Sequence, residues 1–305
     1  MLEIFGNVVL PVLVVAAFGY AVQRRLQLSL VPLSQVSIYV LQPCLVFTAL
    51  LNTDLRSPEP LLIMLFSALM TAGMLALAVV ISRLGRLDRS MTAAFMLSTA
   101  FPNVGNYGLS VVLLAYGQPG LEKAILIFVV QSIFSGTIAV MVASSSSASA
   151  WQALLQVFKL PQIYATAAAL VFNLLRVTPP PFIGASADLA AKAAIPLMLV
   201  MLGMQMARNT AIERPGLVGL AVATRLLAGV AVAYGIILGL GIAGATRDVL
   251  LIQAAMPTAV FTTLMATEFN AHPRFVTSVV LATTVLSLIT VTALLAVLPG
   301  SAHLT

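Results

Sequence analysis

The sequence predicts an all-α polytopic membrane protein with ten transmembrane helices, and two observations carry that prediction. Hydrophobic residues make up 61% of the 305 positions and charged residues only 8%, and the mean hydropathy is +1.09. A soluble chain of this length carries roughly 25% charged residues, so most side chains here face lipid or other helices. A helix needs about 20 mainly apolar residues to cross a bilayer. Ten segments between the charged and proline-rich loops meet this requirement.

The predicted spans fall into two sets of five, which define two repeats. The first repeat, residues 1–143, contains spans 4–23, 33–52, 60–82, 91–115 and 122–143. The second repeat, residues 158–298, contains spans 158–176, 186–207, 215–241, 247–268 and 274–298. Residues 144–157 include a serine-rich stretch and are predicted to form a short flexible linker.

Three prolines of the first half recur at nearly constant spacing in the second half, which indicates an internal repeat. Pro11, Pro43 and Pro102 are followed 150, 153 and 155 residues later by Pro161, Pro196 and Pro257. Because each repeat has an odd number of spans, the second repeat must enter the membrane from the opposite side. The sequence therefore predicts an inverted pair of five-helix repeats.

Charges in the loops predict the orientation in the cell (inner) membrane. Lys and Arg are in excess in the loops on one side, which include Arg24, Arg83 and Arg214, and such an excess marks the cytoplasm. Both termini are then extracytoplasmic and linker 144–157 is cytoplasmic. This asymmetry accounts for the net charge of +6 without a nucleic-acid partner, since the chain has no basic run or aromatic stacking motif.

Two of the repeated prolines, Pro102 and Pro257, interrupt strongly apolar stretches at corresponding places in the two halves. Proline removes a helix hydrogen bond and clashes with the preceding turn, and an unsatisfied backbone group is costly in hydrocarbon. Paired interruptions of this kind are the best sequence indication of a substrate site built from broken helices. We therefore predict a secondary transporter.

The residues around both prolines are the predicted substrate-binding residues. They are Pro102, Asn103, Gly105 and Asn106 at the first break, and Pro257, Thr258, Ala259 and Val260 at the second. The asparagine amides donate and accept hydrogen bonds, and Thr258 follows its proline as Asn103 does. Where two such helices cross, two half-helix N-termini converge, each with about half a positive charge, so an anion is the expected ligand. The alternative is a kinked helix whose asparagines bond neighbouring helices.

Two glutamines and a glycine pair within the spans each have more than one interpretation. Gln42, beside Pro43, and Gln131, midway through the fifth span, either line the cavity or bond a neighbouring helix. Gly235 and Gly239 have the GxxxG spacing, which is typical of close helix packing.

Two cations within the predicted spans, Arg225 and Lys192, each have more than one interpretation. Arg225 is the one charge well inside a span, so it either helps to hold an anion or is structural, bonding helix-end carbonyls or snorkelling to the interface. Lys192 lies near the outer end of its helix, where it supports an anion or pairs with Asp54 or Asp188.

No cofactor or metal is predicted. Cys44 is the only cysteine, which excludes an intrachain disulfide and a thiolate metal cluster. No Asp or Glu lies in the middle of a span, so the coupling ion is left unassigned. The two histidines, His272 and His303, form no HExxH motif, which argues against an intramembrane enzyme. A channel and an ATPase-coupled permease subunit stay open as alternatives to a carrier.

Several segments are close in type and spacing to the pattern of one transporter family. They are Arg225-Leu226-Leu227-Ala228-Gly229, Gln253-Ala254-Ala255-Met256-Pro257, Glu268-Phe269-Asn270-Ala271-His272-Pro273, and Pro102-Asn103 at the first crossover. By these segments, and over all ten predicted spans, the chain resembles a short bacterial member of the auxin efflux carrier family, related to plant auxin exporters and to bacterial malonate or malate permeases.

The resemblance implies two inverted five-helix repeats arranged as in bile acid sodium symporters. A scaffold domain would comprise spans 4–23, 33–52, 158–176 and 186–207, and a transport domain, residues 60–143 and 215–298, would move as an elevator. The resemblance also implies a homodimer. It further implies that Asn103 contacts the substrate carboxylate, that Gln42 borders the site from the scaffold, and that Gln131 faces it from the fifth span.

Two departures from the family pattern affect the expected substrate. Ser110 stands where bacterial members often have proline, and the sixth span opens with Leu160-Pro161-Gln162 where plant carriers have Asn-Pro-Asn. We therefore expect a small organic anion, such as a carboxylate or an auxin-like compound, rather than auxin in particular.

Overall fold

The computed structural model describes residues 2–144, 158, 160–207 and 212–298, and all regular secondary structure in these residues is helical. The helices are α1 Phe5–Leu26, α2 Leu30–Asn52, α3 Glu59–Leu84, α4 Arg89–Ala100, α5 Ser110–Gly136, α6 Ile138–Ser144, α7 Pro161–Leu175, α8 Pro181–Met206, α9 Pro215–Leu240, α10 Gly244–Ala254, α11 Phe261–Glu268 and α12 Pro273–Val297. A helical turn, Leu2–Ile4, precedes α1, and a π-helical turn, Val104–Leu109, precedes α5. The predicted linker 144–157 lies outside the described residues except for Ser144.

Within the described residues, seven helical runs are long and apolar enough to cross a membrane, which indicates an integral multi-pass membrane protein. They are α1, α2, α3, α8, α9, α12 and the continuous run Val104–Ser144. Helix α7 is apolar but has 15 residues, about 22 Å at 1.5 Å per residue, which is shorter than a bilayer core of about 30 Å. The ninth predicted span is divided between α10 and α11. The number of ten spans therefore stays a prediction.

The long run Val104–Ser144 leaves helical geometry at Gly117. This residue has φ 62° and ψ −160°, a backbone conformation that is essentially restricted to glycine. The interruption lies between the predicted spans 91–115 and 122–143. Pro119 lies in the first turn of the helical stretch that follows. It costs no hydrogen bond there, because the N–H groups of a first turn have no partner within the helix.

Helices α1, α2, α7 and α8 pack against one another. At the contact of α1 with α8, glycines let the two backbones touch: a Cβ on Gly19 would lie 2.0 Å from the Val200 carbonyl oxygen, and one on Gly203 would lie 1.7 Å from that of Ala16. At the contact of α2 with α7, the Asn173 amide donates to the last carbonyls of α2, at 2.8 Å to Leu50. These contacts make the four helices one packed group.

The other helices form a second packed group, which comprises α3, α4, α5, α6, α9, α10, α11 and α12. An ion pair between Lys123 and Glu59, 2.6 Å apart, joins α5 to α3 at one end of this group. The Thr246 hydroxyl of α10 donates to the same carboxylate. The π-helical turn Val104–Leu109 lies against α8, so the first break faces the group formed by α1, α2, α7 and α8.

Gly235 and Gly239 do not pack against other helices within the described residues. A Cβ on either residue would meet nothing within 4 Å. The prediction of close packing at these two glycines is therefore wrong for contacts among the described residues. Such packing occurs at Gly19 and Gly203 instead.

Candidate functional site

The two broken helices meet at their breaks. Helix α4 ends at Ala100 and α10 ends at Ala254, and the segments that follow pair antiparallel, with Pro102 opposite Thr258. The Asn103 N–H donates to the Pro257 carbonyl at 2.7 Å. The Ala259 N–H donates to the Phe101 carbonyl at 2.9 Å. The structure thus brings together the two breaks that the sequence predicted.

The local sequence explains why the helices stop here and why the broken ends pair. Pro102 and Pro257 have no N–H to continue a helix, and Phe101 takes the extended conformation favoured before proline, with φ −111° and ψ 97°. Backbone groups freed in this way need partners inside a membrane protein. Each break supplies them to the other, and the rings of Phe101 and Phe261 pack edge to face, 5.8 Å apart, beside the pairing.

Asn103 retains an unused donor at the crossing. Its side chain is 5% exposed, and its amide nitrogen has no hydrogen-bond partner among the described residues. The backbone carbonyl of Asn103 accepts a hydrogen bond from the Gly108 N–H at 3.0 Å, which fixes Asn103 at the start of the π-helical turn. Asn106 lies on the same turn and is partly exposed. A buried amide without a partner is rare in native proteins, and a bound ligand or water would satisfy it.

Two glycines let other groups approach this turn. A Cβ on Gly105 would lie 2.8 Å from the Phe128 ring, and one on Gly108 would lie 2.2 Å from the Gln253 side-chain oxygen. The close contact at Gly105 is therefore made by a side chain of α5.

The second break is arranged differently from the first. Thr258 is fully buried, and its hydroxyl donates to the Ser98 carbonyl at 2.6 Å. Its backbone N–H donates to the Thr283 hydroxyl at 3.1 Å. Thr258 corresponds to Asn103 in position, but its hydroxyl and its N–H already have partners; its contact with a substrate stays a prediction. Ala259 is buried and Val260 is partly exposed.

Both predicted glutamines bond protein groups. The Gln131 amide donates to the Thr71 hydroxyl of α3 at 2.9 Å and is buried. The Gln42 amide donates to the Ser37 hydroxyl at 3.1 Å, within 3.8 Å of the Met198 sulfur of α8. Gln162, at the position where plant carriers have asparagine, donates to the Ser132 hydroxyl of α5 at 3.2 Å.

The two predicted cations have different environments. Lys192 is 73% exposed and pairs with Asp188 at 2.6 Å, so it is outside the buried crossing. Arg225 is fully buried, which rules out snorkelling. Its guanidinium donates to the Thr99 carbonyl at 2.7 Å and to the Ala254 carbonyl. Arg225 therefore bonds helix-end carbonyls, which was one of the alternatives.

Gln253 is a candidate site residue that sequence reasoning missed. It is 1% exposed, and neither atom of its amide has a partner within the part of the chain that the structure describes. Its side chain lies against Gly108 of the first break. A polar residue one turn before Pro257 in an apolar stretch was the available signal.

A separate cavity of about 330 Å³ lies where α2 and α7 end. Asn52, Asn173, Arg176 and Thr178 supply its polar lining, and none of them is at the crossing. Within residues 2–144, 158, 160–207 and 212–298, no cluster of three metal-ligating side chains occurs.

Comparisons with known proteins agree with the helical membrane architecture. A family model described as "Membrane transport protein" matches residues 5–295. An "Uncharacterized transporter" of Methanothermobacter thermautotrophicus is 26% identical over 289 residues, which cover 92% of this chain and 94% of that protein. The "Auxin efflux carrier component 2" of Oryza sativa subsp. japonica is 27% identical over 169 residues, 53% of this chain and 25% of the rice protein.

Proposed function

The chain belongs to the membrane transport protein family that includes auxin efflux carriers, and on this premise we propose that it is a secondary carrier of a small organic anion. The proposed substrate is a carboxylate or an auxin-like compound. The observation that carries the proposal is the paired crossing of 101–103 with 257–259, beside which the Asn103 amide keeps a buried, unused donor.

The charge distribution at the crossing supports an anionic substrate. The π-helical turn with α5 starts after the first break, and α11 starts after the second. Each helix N-terminus carries about half a positive elementary charge, and the two together would balance the charge of one carboxylate. The Asn103 amide nitrogen would donate a hydrogen bond to that carboxylate, and Asn106 on the partly exposed side of the turn would contact the rest of the substrate.

We propose ten membrane crossings in two inverted repeats, with both termini extracytoplasmic, in the cell membrane. The packing of α1, α2, α7 and α8 as one group supports a scaffold, and the packing of α3 to α5 with α9 to α12 supports a transport domain. In an elevator movement the crossing would slide along α8, which the π-helical turn contacts. We also propose that the protein forms a homodimer and uses no cofactor. The proposal does not assign a coupling ion.

The experiment is counterflow in proteoliposomes that contain the purified full chain and no ATP. Vesicles loaded with malonate, malate or indole-3-acetate should accumulate the same labelled compound transiently against its gradient. A channel gives only downhill flux, and an ATPase-coupled subunit gives none without its partner, so either result would contradict the carrier.

Two asparagine variants locate the site in the same assay. Asn103→Ala should abolish counterflow, because it removes the free donor at the crossing. Asn52→Ala is the matched control: Asn52 lines the separate cavity and bonds only its own helix at 3.0 Å, so flux should be unchanged. Loss of flux in Asn52→Ala with normal flux in Asn103→Ala would move the site to that cavity.

A further inference from the structure

We propose that Arg225 is the positioning residue of the crossing, holding the C-terminal ends of both broken helices and neutralising them. Its hydrogen bonds go to Thr99, beside the last residue of α4, and to Ala254, the last residue of α10. One planar guanidinium thus spans the ends of two helices from opposite halves of the chain. The part of this inference that concerns ligand affinity rests on the proposed function, and the part that concerns the crossing does not.

Electrostatics explains how a charge is tolerated there. The last carbonyls of a helix lack intrahelical partners and carry about half a negative elementary charge. Two such ends sum to about one negative charge, which matches the single positive charge of the guanidinium. Among the described residues no carboxylate pairs with Arg225. The helix ends therefore act as its counter-charge, without which burial would be strongly unfavourable.

The local sequence of α9 is fitted to this arrangement. Arg225 lies in a π-helical turn, Thr224–Ala228, which is followed by Gly229. A Cβ on Gly229 would lie 2.8 Å from the nearer guanidinium nitrogen and 3.6 Å from the Ala254 carbonyl oxygen. Any larger residue at this position would displace the guanidinium from the helix ends. Gly235, on the same helix, faces open space and provides a matched control.

The consequence is a division of charge at the crossing. Arg225 cancels the negative ends of α4 and α10, so the potential beside Asn103 is set by the two positive N-terminal ends. The same hydrogen bonds fix the ends of α4 and α10 relative to each other. The backbone pairs Asn103 to Pro257 and Ala259 to Phe101 follow within five residues of those ends, so the position of Arg225 determines their register.

The test is amide hydrogen exchange on the full chain in nanodiscs, without any ligand. In Arg225→Met, the amides of Asn103 and Ala259 should exchange on the order of tenfold faster or more, because two charge-assisted hydrogen bonds next to them are lost. Amides at the α1 to α8 contact should be unchanged. Arg225→Lys should recover part of the protection from exchange, because it keeps the positive charge but not the planar pair of guanidinium donors.

The glycine variants keep the test decisive if Arg225→Met does not fold. Gly229→Ala retains the arginine but moves its guanidinium, so it should also deprotect Asn103 and Ala259, whereas Gly235→Ala should not. Unchanged exchange at both amides in Arg225→Met and in Gly229→Ala would overturn the proposal. Equal acceleration in every helix would also overturn it, since that result describes general destabilisation.

A binding measurement separates this inference from the proposed function. Affinity for malonate or indole-3-acetate should fall about tenfold in Arg225→Met, as the negative helix ends become exposed to the ligand, and should recover in Arg225→Lys. If the wild-type chain bound neither compound, the proposed substrate class would be wrong, and the exchange result would still decide the role of Arg225.

Discussion

Both breaks contain a proline, but the residues after the two prolines differ in their hydrogen-bond partners. At the first break, Asn103 keeps an unpaired side-chain donor and Asn106 is partly exposed. At the second break, Thr258 is fully buried, with its hydroxyl bound to Ser98 and its N–H bound to Thr283. The first break has groups available for a ligand, and the second is fastened to its neighbours.

This difference shows that a repeated backbone feature can serve two purposes. Each proline frees backbone groups for the other break, so the pairing needs both. Of the two residues that follow these prolines, only Asn103 keeps a buried side-chain donor without a partner among the described residues. We therefore expect the loss of a polar side chain at the first break to affect ligand binding most, and the loss of one at the second break to affect stability most.

The largest effect on stability is expected from overfilling the contact between the breaks. In Gly108→Ala the new methyl group would overlap the Gln253 side chain, with ideal positions 2.2 Å apart, in a site where Gln253 is 1% exposed. We expect a loss of about 1–3 kcal/mol, measured as a lower apparent melting temperature of the detergent-solubilised protein.

A second substitution tests whether Gln253 is the cause. Gln253→Ala removes the overlapping atoms, so Gly108→Ala combined with Gln253→Ala should cost less than the sum of the two single changes. Strict additivity would mean that Gly108 and Gln253 do not share the contact described.

The next effect is expected at the second break. Thr258→Val keeps the side-chain shape but removes the hydroxyl that donates to the Ser98 carbonyl, which leaves a buried acceptor unpaired. The expected cost is about 1–2 kcal/mol, read as a lower apparent melting temperature. Thr267→Val is the control, because its hydroxyl is exposed and bonds only its own helix at 2.8 Å, and its melting temperature should hardly change.

The smallest effect is expected where the helix of the first break begins. Asp88 caps α4 by accepting from the Met91 N–H at 2.9 Å, whereas α10 begins without a side-chain cap. That hydrogen bond, helped by the charges of His272 and Arg214, lowers the pKa of Asp88 below its ordinary value of 3.8. The group therefore adds stability above pH 3.8, and this contribution is lost as the pH falls through the lowered pKa.

The pH dependence gives the measurement for the cap. Asp88→Ala should melt slightly below wild type at pH 7, and the difference should disappear in acid below the folded-state pKa. Asp88→Asn keeps a capping acceptor that does not titrate, so it should melt close to wild type at pH 7. A difference between wild type and Asp88→Ala that grows in acid would contradict the assignment.

Features written into the local chain could be predicted from the sequence. The membrane class followed from composition, and the breaks followed from Pro102 and Pro257, because a proline acts on its own helix. The family followed from segments such as Gln253 to Pro257. The number of spans was less accessible, since α7 is short and the predicted ninth span is divided.

Features that depend on distant partners could not be predicted. Arg225 had several interpretations because its acceptors, Thr99 and Ala254, are close to it only after folding. Thr258 looked like a second Asn103 because the sequence does not show that Ser98 and Thr283 lie beside it. Gly235 and Gly239 have the spacing of packed glycines, but no other helix that the structure describes lies against them.

The most direct test of the central claim is ligand-induced thermal stabilisation, which rises with ligand concentration as RT ln(1 + [L]/Kd). Wild type, Asn103→Ala and Thr258→Val would be compared with mono- and dicarboxylates, indole-3-acetate and neutral solutes. We predict that one class of carboxylates stabilises wild type and Thr258→Val but not Asn103→Ala. Equal stabilisation of Asn103→Ala, or stabilisation by neutral solutes alone, would contradict an anion site at the first break.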